Sequence, residues 1–420
     1  MARIVRVDKR KLNKLAKKIV NAGNVKIAIL AIPIIVEVVR RHEKIDGLSD
    51  LFDSRILVSF LVAFICEEIA SAILRSVGRR TEDATKLTED YSTLVKKYRR
   101  CNDDMPLYEG KNGKVIFPML ILAMRKLSDE SFNISTTCNS DKHYELPHQI
   151  SMYSREFSDA HKYSNVYNNL NIRLDDLITN GKSIELKYSY TTYFDSLITN
   201  KAMDYPFLDG KSVREIYEPG PWMSSLSESK LSNHIGFNGF VELSDGKVVF
   251  VYRRDSVSVA KRTWAEGVSA SLKAVYALDD GKKLSAKGIS DAIRQEIFDE
   301  LKIEIPKNVD LCKGIFAFYR DILEGGKPQF VFYYKVDSMD EKEFVRNFKK
   351  KIGKKEAKKE DKEKLTVDGT TFRCITVKEL REAKIEIDGI TLSKHKKMKM
   401  TAGAVATLAM FLNAYQSEKI

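Results

Sequence analysis

The chain has 420 residues, 43% of them hydrophobic and 31% charged, with 21 Gly and 9 Pro. That composition excludes collagen-like, disordered and coiled-coil descriptions of the whole, and it leaves room for two or three ordinary domains. Lys and Arg exceed Asp and Glu by 71 − 58 = 13, so the surface favours polyanions such as nucleotides, nucleic acid or acidic lipid headgroups. The five cysteines (Cys66, Cys101, Cys138, Cys312, Cys374) are scattered and never form C-x-x-C. This argues against a disulfide framework or a zinc site and for a reduced, cytosol-facing location.

Residues 1–20 carry eight basic side chains against the single acid Asp8, and no small-residue cleavage site follows. The segment therefore does not read as a removed signal peptide. Two apolar runs come next, at 27–36 and 56–74. On a helix the first is apolar all round, whereas Ser59, Ala63, Glu67 and Ser71 make a narrow small-or-polar stripe along the second. Two arrangements are open. One is a soluble helical bundle with that stripe to water. The other is a two-span membrane hairpin over roughly 19–39 and 56–74, in which Glu67 and Glu68 must face a partner helix or a water-filled path. In the second, residues 1–20 and Arg75, Arg79 and Arg80 place both ends in the cytoplasm, and hairpins assembled with Glu67 inward would make a cation-permeable pore.

The expected organisation is a helical segment over 1–100, a connecting region over 101–165, and a folded domain over 166–420 with a Lys-rich insertion near 345–365. Residues 81–100 start on Thr-Glu-Asp, end basic, and space Leu87, Tyr91, Leu94, Val95 and Tyr98 for a helix. Residues 114–126 read as a strand followed by a helix, and 133–145 as a polar loop. From Ile172 the period becomes two. Residues 182–193 predict a strand, and 234–253 predict a hairpin turning at Ser244-Asp245-Gly246-Lys247. Residues 314–319 and 330–336 predict a second hairpin around Glu324-Gly325-Gly326-Lys327. A helix over 290–301 lies between the hairpins, a short strand at 371–376 follows, and an apolar helix runs over 400–415. Strands on both sides of a helix imply an α+β layer architecture.

The chemistry-bearing segment starts at Gly281. Glu296, Asp299 and Glu300 stand at i, i+3 and i+4, so all three carboxylates leave one face of one helical turn. A divalent cation would relieve their repulsion, and an acidic solvent face is the simpler alternative. The segment resembles the Nudix box, G-x5-E-x7-R-E-U-x-E-E-x-G-U. Gly281 takes the opening glycine, Glu296 the acid after the arginine, Ile297 and Ile303 the aliphatic positions, and Asp299 with Glu300 the paired acids. Lys287, Gln295, Asp299 and Lys302 depart from the pattern, in place of glutamate, arginine, glutamate and glycine.

A closer resemblance, over about residues 165–415, is to the SMODS-associated Nudix family of CBASS antiviral systems. It is carried by NIRLDDL (171–177), YSYTTYFDSLITNKAMDY (188–205), SNHIGFNGFVEL (232–243), RTWAEGVSASLKAVYALDD (262–280) and GGKPQFVFYYK (325–335). The resemblance implies a Nudix fold, a mixed sheet with helices on its faces, behind N-terminal transmembrane helices in the bacterial inner membrane. It also implies a sensor of a cyclic oligonucleotide that drives cell death during infection, acting as a homo-oligomer. The alternative it allows is a Mg2+-dependent hydrolase of nucleoside-diphosphate-linked substrates. Glu296, Asp299 and Glu300 would then be the metal ligands, and Glu296 and Glu300 the catalytic pair. Arg253, Arg254, Lys261 and Arg262 suit phosphates. Trp264 and Tyr193 would stack on bases or else fill the core, and Ser269 and Ser271 would bond a ligand or line the sheet. Net charge alone supports a nucleic-acid-binding module.

Overall fold

The computed structural model describes residues 87–98, 107–110, 115–152, 168–206, 210–253, 262–352, 372–393 and 397–415. All of these fall within Arg79–Ile420. The apolar runs at 27–36 and 56–74, most of the Lys-rich stretch, Arg254 and Lys261 lie outside the described residues. Among the described residues no helix is long and apolar enough to cross a membrane.

Alternation of apolar side chains with period two builds the main sheet. Along Gly236–Leu243 and Lys247–Arg253, Phe237, Val241, Leu243 and Val249 go to one face, and Phe240, Val248 and Phe250 to the other. These strands belong to a nine-stranded sheet. Its order is Leu107–Gly110, Val115–Met124, Ile315–Asp321, Lys327–Val336, Gly236–Leu243, Lys247–Arg253, Phe372–Thr376. Lys327–Val336 runs parallel with Gly236–Leu243, and the other neighbours are antiparallel. Past the turn pair Glu242–Val248 the hairpin strands separate. Thr263–Glu266 and Val268–Ser271 fill the gap, each pairing with one of them. That splay opens the middle of the sheet.

Helices cover both faces. Ala286–Leu301 places Ile289, Ala292, Ile293, Ile297 and Leu301 on the first face, and Ala402–Ala414 places Val405, Leu408 and Phe411 on the second. The Phe411 ring stacks on Phe240 at 4.5 Å between centroids. The result is a mixed α and β architecture with mixed sheets. A three-stranded sheet, Asn133–His143, Ser183–Thr192 and Leu170–Asn180, adds Ile134, Ile172, Leu174, Ile184 and Leu186 to the first core.

Three expectations are corrected. Residues 114–126 are not strand then helix but one strand, Val115–Met124, held between Leu107–Gly110 and Ile315–Asp321. An unbroken apolar run carries no period, so only its neighbours decide its conformation. Residues 133–145 are not loop: Asn133–His143 is a strand parallel to Ser183–Thr192 at the edge of the three-stranded sheet, and its Thr136 hydroxyl donates to the Leu284 carbonyl at 2.6 Å. Of the helix expected over 81–100, residues 81–86 and 99–100 lie outside the described residues; 87–90 are not helical, and the helix Tyr91–Tyr98 starts after Asp90, which accepts from the Thr93 amide at 3.1 Å. The expected connecting region thus supplies two strands of the main sheet and one of the second.

The long helix is seated by a glycine. A Cβ on Gly288 would lie 1.9 Å from the Ala277 carbonyl oxygen, so the first helical turn rests directly on backbone. Gly288→Ala is expected to lower the unfolding free energy by about 1–3 kcal/mol, measured by urea denaturation.

Candidate functional site

The helix that carries the three acids is delimited by local chemistry. Ser285 caps it, accepting from the Gly288 amide at 3.0 Å. Ahead of it, Asp280 and Gly281 take φ of 50° and 70° in the three-residue turn joining Leu278–Asp279 to Lys283–Leu284. Glycine at the opening of the motif meets that requirement. At the other end Lys302 takes φ of 59° at the C-cap, the left-handed position for which the motif's glycine is suited. Its ammonium donates to the Asp299 carbonyl at 2.7 Å.

Glu296 and Asp299 take different partners. Glu296, 5% exposed, accepts from the Lys273 ammonium at 2.5 Å. Asp299 instead accepts from the Gln295 amide at 3.1 Å. Burial pushes Glu296 above the ordinary carboxylate range, and Lys273 offsets part of that rise. Burial also opposes the Lys273 charge, yet Glu296 raises it on balance, since its side chain keeps 27% exposure against 7% for Glu296. An ammonium therefore stands where a cation would meet Glu296. With Asp299 turned to an amide, the donors as placed do not fit a shared Mg2+. Among the described residues no three His, Cys, Asp or Glu converge as a metal shell.

Glu296 and Glu300 instead border a cavity of about 380 Å3 that reaches into the splayed sheet. Of the residues expected from sequence, Arg253, Tyr193, Ser269 and Ser271 line it as well. Trp264 does not: its ring packs 5.3 Å from Tyr252, with the Arg373 guanidinium 5.0 Å above it. Arg262, at φ of 57° before the Thr263–Glu266 strand, is likewise outside the lining.

The cavity floor holds charges that sequence reading did not single out. A capping box of Thr192 and Asp195 starts the helix Tyr193–Ile198, and the turn Asn200–Ala202 after it carries Lys201 inward. Lys327 heads the strand after the Gly325-Gly326 turn. The two ammonium groups reach the two oxygens of Glu324, Lys201 at 3.4 Å and Lys327 at 3.0 Å. Burial alone would raise Glu324, but Lys201 and Lys327 pull it down to about 2. Asp321, beside it, is pushed up to about 7 by burial and by the Glu324 charge. Lys201 follows the polar pair Thr199-Asn200 between Leu197-Ile198 and Ala202-Met203, a local pattern that gives no sign of its burial.

Lys273→Met leaves a buried carboxylate unpaired, so at pH 8 it is expected to cost about 3 kcal/mol. The cost shrinks at pH 4, where the raised Glu296 carboxyl is already protonated, and Lys273→Met/Glu296→Gln recovers most of it. Urea titrations at both pH values measure each step. The folded value of Asp321 lies above that of an ordinary carboxylate, so the stability tied to it is full in acid and lost as pH rises through about 7. Asp321→Asn is therefore expected to raise Tm over the unsubstituted protein by more at pH 8 than at pH 5, read by differential scanning calorimetry. No protein-family model and no curated protein matches the chain, so its function rests on the geometry of this cavity.

Proposed function

We propose that the cavity binds a nucleotide and that the chain is a Nudix-type sensor of a cyclic oligonucleotide, an effector of CBASS antiphage abortive defence. In this reading residues 1–78 tether a homo-oligomer to the bacterial inner membrane, with the Nudix domain in the cytoplasm. The observation that carries it is the Lys273–Glu296 pair at the wall of a cavity that also presents Arg253, Lys201 and Lys327. Cations aimed into a pocket suit phosphate oxygens. A box carboxylate already matched by an ammonium suits holding a ligand rather than organising a metal for hydrolysis. Tyr193 offers a ring for a base at the same wall. The three-residue turn at Gly281, the left-handed stop at Lys302 and a sheet covered by helices on both faces support the Nudix reading. A ligand then changes the tethered segment only by binding the active arrangement more tightly than the resting one.

The hydrolase reading keeps one observation in its favour, that Glu296 and Glu300 border the same cavity. One experiment separates the two. Detergent-purified full-length protein is incubated with Mg2+ and a panel of cyclic and linear nucleotides, with binding and product followed together. The expected result is binding of a cyclic oligonucleotide that is recovered intact. Cleavage of a diphosphate-linked nucleotide, abolished in Glu300→Gln, would establish the hydrolase instead. Recovery of the whole protein in the soluble fraction without detergent would remove the membrane tether.

A further inference from the structure

Two lysines share one carboxylate at the floor of the cavity. The side chains of Lys201 and Lys327 are only 10% and 6% exposed, and both meet Glu324. Buried ammonium groups are ordinarily matched by an anion each. Here the second anion available is Asp321, whose Oδ1 accepts from the Leu323 amide at 2.9 Å. With Asp321 protonated, two ammonium groups face one carboxylate, and burial together with the Lys201 charge lowers Lys327 despite Glu324, as expected of a cation short of an anion. His234, fully buried nearby, adds no charge, because burial and the two lysines hold its imidazole neutral. The floor is also kept open: a Cβ on Gly236 would come within 3.0 Å of both the Lys327 ammonium and the Gln329 side-chain oxygen.

We propose that Lys201 and Lys327, bridged by Glu324, are the anchoring subsite for one phosphodiester of the ligand. Asp321 keeps its proton while that phosphate is bound. This rests on the cavity being the nucleotide site. One surplus charge matches the single charge of a phosphodiester, whereas a terminal phosphate carries nearly two at neutral pH. The subsite therefore selects a linked oligonucleotide over a mononucleotide with a free phosphate. Asp321 is faced by Glu324 and Lys327 from its own turn, by Tyr319 from its strand, by Tyr91 from the helix Tyr91–Tyr98, and by the start of the Ala402–Ala414 helix at Gly403. Ionising Asp321 cancels the surplus, so the subsite empties as pH rises. The value of about 7 puts that change near neutrality.

The test is calorimetric titration of detergent-purified full-length protein with 3′,5′-linked cyclic di- and trinucleotides at pH 6 and pH 8, where the phosphodiester charge is constant. The expected affinity is about tenfold weaker at pH 8 for a single linked proton, and Asp321→Asn abolishes that difference. Lys201→Met and Lys327→Met each lose about tenfold or more. Lys201→Met/Glu324→Gln/Lys327→Met leaves no charge unpaired, so it tests the subsite even where a single variant does not fold, and it loses about a hundredfold or more. Wild-type affinity in the folded triple variant, with loss in Arg253→Ala, would overturn the subsite and leave the cavity as the nucleotide site. Equal affinity at the two pH values would overturn the role of Asp321. No binding of any cyclic nucleotide by the unsubstituted protein would overturn both the subsite and the cavity reading.

Discussion

A carboxylate taken out of water must be neutralised or matched, and in this protein the match at Glu296 is Lys273. The pair joins two pieces of backbone that local sequence does not connect. Lys273 follows the strand Val268–Ser271 and precedes the short helix Ala274–Ala277, while Glu296 stands in the third turn of Ala286–Leu301. Gly288 lets that helix rest on the Ala277 carbonyl, and buried Ile289, Ile293, Ile297 and Leu301 orient it so that Glu296 meets Lys273 at the cavity wall while Asp299 accepts from Gln295. The ion pair thus forms where the core packing brings its two halves together. Where the Nudix motif has an arginine beside its acid, this chain has Gln295, and the cation at Glu296 comes from Lys273, outside the motif.

The cavity behind that helix separates the behaviour of two acids three residues apart. Glu324 lies between two ammonium groups and stays ionised far into acid, whereas Asp321 is buried beside it and resists ionisation up to neutrality. Opposed shifts in neighbouring groups arise when burial disfavours both charges and only one acid has adequate cationic partners. A pocket built this way carries cations that the protein does not fully neutralise, in a region where water screens them poorly. Such a floor is suited to an anionic ligand, and the dense hydrogen bonding around it, including Asn200 to the Glu324 carbonyl at 2.9 Å, holds the charges in place without one.

How much was legible in advance depended on where each signal resided. The strands within 234–253, 314–319 and 330–336 were readable as short apolar runs bounded by turn residues, and the helix at 290–301 because burial of one face imposes a period of 3.6 on its residues. Val115–Met124 is apolar on successive residues, and Asn133–His143 is polar along its length, so neither shows a period. Their strand character is conferred by partners about 200 and 50 residues away in the chain. Glu296 and Glu300 were found through a motif and Arg253 and Tyr193 through residue type, but residue type alone also pointed to Trp264, which the fold assigns to packing against Tyr252 and Arg373.

By itself the sequence determined the amphipathic elements, the turns at Ser244-Asp245-Gly246-Lys247 and Glu324-Gly325-Gly326-Lys327, the capped acidic helix and the cationic character of the chain. These are properties of residues within a few positions of one another, where side-chain period, φ preference and capping chemistry act. Only the tertiary structure decided which lysine meets which carboxylate: Lys273 with Glu296 across 23 positions, Lys201 with Glu324 across 123. The strength and sign of a charge's effect depend on its burial and on its nearest partner. Both are set by how distant segments pack, and neither is written in the local order of residues.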